Sequence, residues 1–271
     1  AAADEVTVKG SPQGDTVEGG NGSGQDNIKA AGANSITISG NMGDDVLTAG
    51  GDSSVTLQGD GDEDTIVARN NTNDTYDGGA NSGVGDTIKI AEGEDGSGTN
   101  AIDLSSGQSI TLDGDTNSSV SSFENADASN AMNSVTLTGD SSANTLTGGD
   151  GADIINLSAG GDTIDGGSDN DTFKFAAFGS NANNTFENLT TNGSDEITDQ
   201  FDFSAIDSGI SGSIDNNITS TSAGFQLSDG DLVTVTTEDT GAAATFDGGD
   251  FSDLFGSTVE IDVSTNNGSA V

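Results

Sequence analysis

Residues 139–174 divide into four nine-residue units: GDSSANTLT (139–147), GGDGADIIN (148–156), LSAGGDTID (157–165) and GGSDNDTFK (166–174). The sixth position holds Asn144, Asp153, Asp162 and Asp171, and the eighth holds Leu146, Ile155, Ile164 and Phe173. Six residues suit a turn and three a short strand, so two units complete one coil. One inward apolar residue per strand is then enough. Thr and Val suit strands, and Gly allows the positive φ that tight turns require. A single coil buries little, so coils must stack to be stable.

A second repeat lies upstream, with a period of 19. Asp26, Asp45 and Asp64 follow it, as do Asp15, Asn34 and Ser53. The apolar residues Ile28, Leu47 and Ile66 keep step, and so do Val17, Ile36 and Val55. Gly24, Gly43 and Asp62 share a column two places before the first Asp series. A 19-residue coil is an 18-residue coil with one insertion. The parallel ladders predict an all-β chain, wound as a parallel β-roll or β-solenoid.

Unit 148–156 fits the nonapeptide G-G-x-G-x-D-x-U-x in full, and the next two units keep its Asp and its apolar residue. The stretch resembles the RTX (repeats-in-toxin) calcium-binding β-roll family, of the secreted surface-layer or extracellular structural type. The resemblance implies calcium held between turns two units apart, by loop carbonyls and sixth-position carboxylates. Carried over, the turn Gly148–Asp153, with Asp150, faces the turn Gly166–Asp171, with Gly167 and Asp169. Asp153 and Asp171 then supply side chains. Asn144 and Asp162 pair on the other side, where the Asn removes one charge. Asp26, Asp45 and Asp64 suggest a further row, in loops such as GNMGDD (40–45) and QGDGDED (58–64), the latter holding Asp62. The row Asp15, Asn34, Ser53 loses charge along the chain and reads as metal-free turns.

Composition supports this reading. There are 46 Asp and Glu against 5 Lys and Arg, a formal charge of −41, and 41 Gly. Asp outnumbers Glu 36 to 10; a solvated acidic face needs no such bias, whereas turns and hard-cation loops do. Without Cys or His there is no disulfide framework, no thiolate site, no Ser-His-Asp machinery and no His-type zinc site. Five basic residues cannot neutralise many phosphates, which argues against nucleic acid and against anionic membrane surfaces. No apolar run is long enough for membrane insertion by a spanning helix. Magnesium demands strict octahedral geometry and keeps its waters, so calcium suits these loops better.

Four regions are expected: an N-terminal solenoid of 19-residue coils (1–90), an irregular continuation (91–138), the nonapeptide roll (139–174) and a β-rich C-terminal cap (175–271). Ten of the eleven Phe lie at or after Phe173, which suits a cap. EGEDGSGTN (92–100) reads as a mobile loop, and DEITDQFDFSAID (195–207) resembles the segment that follows RTX repeats. The chain opens AAADEV without a basic stretch or apolar core, so export is expected after a cleaved leader or by a C-terminal signal, as the family resemblance implies.

The expected function is a secreted, calcium-binding, non-enzymatic structural protein that assembles with copies of itself at the cell surface or outside the cell. The alternatives are a calcium-dependent adhesin, with cell-surface polysaccharide as partner, or a secretion or capping module of a larger exoprotein. A polysaccharide lyase would need a basic residue near calcium, and Arg69 is the only Arg.

Overall fold

The computed structural model describes residues 5–9, 15–19, 24–31, 35–50, 54–70, 73–81, 83–116, 118–175, 184–189 and 199–202. Among them every regular element is a strand. Asn34, Ser53, the strands read at 224–239 and 257–264, and all of 195–207 except 199–202 lie outside the described residues. The chain divides into two compact units, Ala1–Val135 and Thr136–Val271.

In the first unit successive strands fall alternately into two sheets. The odd sheet runs β1 (Glu5–Lys9), β3 (Asn27–Ala31), β5 (Val46–Thr48), β7 (Thr65–Ala68), β9 (Thr87–Ile90) and β13 (Asn125–Asp127), all parallel. The even sheet begins β2 (Asp15–Glu18), β4 (Ile36–Met42), β6 (Val55–Gly61) and β8 (Thr75–Ala80), also parallel. Side chains alternate with the pleat, so each strand sends one ladder inward. Ile28, Leu47, Ile66, Ile88 and Ala126 line up on the odd sheet, and Ile38, Leu57, Tyr76 and Val120 on the even. All nine are buried. Burying a Val, Leu or Ile side chain stabilises by about 1.5–3 kcal/mol, and the thin core is the sum of such contributions over coils.

The first coil corrects one ladder. Asp15 stands opposite Ile36 and Val17 opposite Ile38, so the offset there is 21 rather than 19. Asp15 is therefore not in column with Asn34, nor Val17 with Ile36. From β4 to β6 the offset of 19 holds, with Ile36 opposite Val55.

The continuation after β9 is not simply more coil. β10 (Ala101–Asp103), β11 (Ser109–Thr111) and β12 (Ser119–Ser121) form an antiparallel meander, and β12 then pairs parallel with β8. Leu112 and Asp115 exchange backbone hydrogen bonds around Asp113 (φ 51°) and Gly114 (φ 85°). Two successive left-handed residues make a tight hairpin turn, and Asp-Gly is the dipeptide that tolerates it. The segment 92–100 is pinned rather than loose: Glu94 pairs with Arg69 at 3.3 Å, and buried Asp95 accepts from the N–H groups of Met132 and Asn133 at 2.6 and 2.7 Å.

The second unit repeats the winding, first with 18-residue coils and then with longer ones. β14 (Thr136–Thr138), β16 (Ile154–Leu157), β18 (Thr172–Phe175) and β20 (Gln200–Asp202) form one parallel sheet. β15 (Thr145–Thr147), β17 (Thr163–Asp165) and β19 (Thr185–Glu187) form the other. Phe186 stands opposite Ile164, and Phe201 opposite Phe173. The roll thus runs on past Lys174. Buried Phe186 packs edge-on against buried Phe173, centroids 5.0 Å apart.

Candidate metal centre

The turns that carry the site open on Gly and close on Asp. In the first unit they are Gly40–Asp45, Gly59–Asp64 and Gly78–Asp86, each joining an even strand to the next odd one. Asp45, Asp64 and Asp86 are buried. Oδ1 of each accepts the backbone N–H of the preceding member of the row. Asp26 donates to Asp45 at 2.6 Å, Asp45 to Asp64 at 2.8 Å, and Asp64 to Asp86 at 2.7 Å. The row ends where the N–H of Asp86 donates to Oε2 of Glu124 at 2.9 Å.

The second carboxylate oxygen has a different fate. Oδ2 of Asp45, Asp64 and Asp86 is buried without a hydrogen-bond partner. A buried polar atom left unpaired is costly, and an unpaired carboxylate far more so. Each orphaned oxygen lies beside the Gly that opens its turn. A Cβ at Gly59 would collide with Asp64 Oδ2 and with the carbonyl of Gly78 on the next coil. At Gly40 it would meet Asp45 Oδ2 and the Gly59 carbonyl, and at Gly78 the Ser122 carbonyl and Asp86 Oδ2. Each turn is therefore a cradle of hard oxygens that only glycine leaves open.

The electrostatics agree. Burial pushes Asp45 up to about 6, Asp64 to about 7 and Asp86 to about 6; neighbouring carboxylates add to this and the accepted backbone N–H opposes it. Asp26, at the head of the row, is half-buried, and its Oδ2 lies 2.7 Å from where a Gly19 Cβ would stand. Asp62 takes a left-handed φ of 76° and accepts from Gly43 N–H at 3.2 Å, so it shapes the turn.

The second unit carries two such rows, one on each side. Asp153 N–H donates to Asp171 Oδ1, and Asp171 N–H to Asp199 Oδ1, both at 2.8 Å. Across the coil, Asn144 N–H donates to Asp162 Oδ1 at 3.0 Å, and Asp162 N–H to Asn184 Oδ1 at 2.8 Å. Oδ2 of Asp162 and of Asp171 are again buried and unpartnered. Burial raises these carboxyls to about 7 and about 8. A Cβ at Gly148 would strike the Gly166 carbonyl and Asp153 Oδ2, and one at Gly166 would strike Asp171 Oδ2. Asp153 Oδ2 accepts the Gly149 N–H at 2.7 Å. Gly167 and Asp169 supply left-handed turn residues (φ 92° and 68°), and the side chains of Asp150 and Asp169 are exposed. Asn144 closes its own turn: Oδ1 accepts from Asp140 N–H at 2.8 Å, and Nδ2 donates to Asp140 Oδ1 at 3.1 Å.

Asp74 belongs to the opposite side of the first unit. Its Oδ1 accepts from Val55 N–H at 2.8 Å, and its Oδ2 from the Tyr76 hydroxyl at 2.7 Å. A protein donor here takes the oxygen that is orphaned elsewhere. The unbroken period does not reach Asp74, Asp86, Glu124, Asn184 or Asp199. The available signal was local: Asp74–Tyr76, Asp86–Ile88, Asn184–Phe186 and Asp199–Phe201 all repeat the Asp/Asn-x-apolar spacing, displaced from the period by insertions.

Among the described residues no cluster of three acidic side chains converges on one point. The donors are instead one carboxylate oxygen per turn with backbone carbonyls around it. That mixture suits calcium, which accepts six to eight oxygens in flexible geometry. The molecule is thus a calcium-binding parallel β-roll. Residues 37–55 and 138–173 match the RTX calcium-binding nonapeptide repeat in four copies. These stretches of the chain therefore carry RTX repeats, and RTX nonapeptides bind calcium. No curated protein matches the chain.

Proposed function

We propose that this is a secreted structural protein that folds on calcium outside the cell and then assembles with copies of itself into a surface layer or filament. The observation that carries the reading is the repeated burial of unpartnered carboxylate oxygens, at Asp45, Asp64 and Asp86 in the first unit and at Asp162 and Asp171 in the second. A row of this kind opposes its own folding until a cation neutralises it. Calcium would supply that charge; the chain supplies the oxygens and, through glycine, the space. RTX repeat proteins are generally secreted and extracellular, and their rolls are typically structural rather than catalytic. Calcium is scarce inside cells and about millimolar outside, the range of extracellular calcium modules. Folding would then wait for export.

The charge supports the assembly step. At −41, copies repel one another in low calcium, and bridging by cations removes that barrier. The test is circular dichroism with sedimentation and electron microscopy across a calcium series, from chelator upward. The expected result is a disordered chain in chelator, a β spectrum near a millimolar calcium, and ordered sheets or filaments that dissolve again in chelator. A folded monomer persisting at high protein and high calcium rejects self-assembly and favours the adhesin or exoprotein-module reading.

A further inference from the structure

The first unit turns unlike faces to solvent. One outward row of the odd sheet reads Lys29, Thr48, Val67, Lys89 and Asp127, on β3, β5, β7, β9 and β13. The matching row of the even sheet reads Glu18, Ser39, Gln58, Asp77 and Ser121, on β2, β4, β6, β8 and β12. All are partly or fully exposed and alternate with inward neighbours. The even-sheet row has no basic residue. The odd-sheet row holds two of the five basic residues of the chain.

The spacing of the charges is the same on both faces. Lys29 and Lys89 are three strands apart, and so are Glu18 and Asp77. At about 4.8 Å per strand, each separation is roughly 14 Å. Short side chains fill the gap: Thr48 and Val67 on one face, Ser39 and Gln58 on the other. Such faces can approach to about 10 Å, the usual distance between packed sheets.

Two of the charges stand open: among the described residues Lys29 and Glu18 enter no ion pair, and Glu18 is exposed. Asp77 is partly exposed, although its Oδ1 is buried. Lys89 Nζ donates to Asp127 and Ser129, which leaves the ammonium a third N–H.

We propose that the odd-sheet face of the first unit docks on the even-sheet face of a second copy, with Lys29 and Lys89 meeting Glu18 and Asp77. The two faces look away from each other across one core, so the contact is heterologous. A heterologous contact that does not close continues from copy to copy. The proposal rests on the self-assembly reading and names the surfaces that carry it. Calcium acts earlier, by folding the coils that set the charge spacing.

The experiment uses the full chain in calcium, with folding checked by circular dichroism and assembly by sedimentation velocity. Lys29→Glu sets carboxylate against carboxylate and should raise the protein concentration needed for assembly by about tenfold or more. Adding Glu18→Lys or Asp77→Lys to Lys29→Glu should restore assembly in one of the two pairings. A second measurement does not depend on charge. The chain has no Cys, so Lys29→Cys combined with Glu18→Cys or with Asp77→Cys should give, on oxidation, a ladder of covalent oligomers longer than dimers. If the parent chain assembles while Lys29→Glu assembles equally well and neither Cys pair gives a ladder, the face-to-face contact is wrong and self-assembly stands. If the parent chain stays monomeric, self-assembly is rejected and this contact with it.

Discussion

The backbone N–H of Asp153 donates to Oδ1 of Asp171, 18 residues on, at 2.8 Å, while Oδ2 of Asp171 stays buried without a partner. One carboxylate thus does two jobs. One oxygen fixes the register of adjacent coils, and the other offers a charge to a cation.

The two jobs separate in Asp171→Asn. The amide keeps an acceptor for Asp153 N–H and removes the buried charge, as Asn144 does naturally. The variant should fold better than the parent in chelator and bind calcium less tightly. Asp171→Ala and Asp153→Ala lose the carboxylate altogether. Both should weaken calcium binding in calorimetric titration more than Asp207→Ala, which lies outside the nonapeptides. Equal titrations for all three alanine variants would show that these turns do not hold the ion.

Gly59→Ala tests the cradle. Its Cβ would press on Asp64 Oδ2 and on the Gly78 carbonyl, and backbone cannot yield as a side-chain tip can. Overpacking of this kind costs about 1–3 kcal/mol, so the calcium-loaded chain should melt lower. Gly107→Ala is the comparison: a Cβ there meets nothing within 4 Å, although its φ of 89° brings backbone strain. Melting should therefore fall in both, but calcium affinity should fall only in Gly59→Ala.

Acidity should substitute for calcium. The folded carboxyls of Asp45, Asp64, Asp86, Asp162 and Asp171 are raised to between about 6 and about 8, chiefly by burial. In the unfolded chain they return to the ordinary value of about 3.9. The folded, metal-free chain then binds more protons, so its stability falls as pH rises from about 4 through 8. In chelator, β structure should return as pH is lowered from 8 to 5. Calcium affinity should move the other way, rising with pH as the protons leave. Circular dichroism at fixed chelator and titrations at several pH values measure the two slopes.

Phe186→Ala tests how far the roll extends. Phe186 is fully buried against Phe173, and large aromatic deletions cost about 3–5 kcal/mol. A chain ended after Lys174 should lose comparable stability, because Ile164 and Phe173 then lack a covering strand. An unchanged midpoint in denaturant for both would place the end of the structural roll at Lys174.

The sequence alone determined the coil. An apolar residue two places after each Asp, with Gly at the turn, has a spacing that only short strands and tight turns satisfy, and Ile28, Leu47 and Ile66 take their inward places by that pattern alone. It also singled out Asp45, Asp64, Asp162 and Asp171, whose period is unbroken. Tertiary structure decided what lies beyond an insertion. Glu124 receives the N–H of Asp86 from 38 residues away, and Asp199 that of Asp171 from 28. The offset of 21 at β2 and the meander of β10 to β12 have the same origin. Closing a longer loop costs little extra entropy, so a coil can accept an insertion and still dock its next strand. Register then follows the packing of inward side chains and the acceptor waiting on the next coil, neither of which is written as a period.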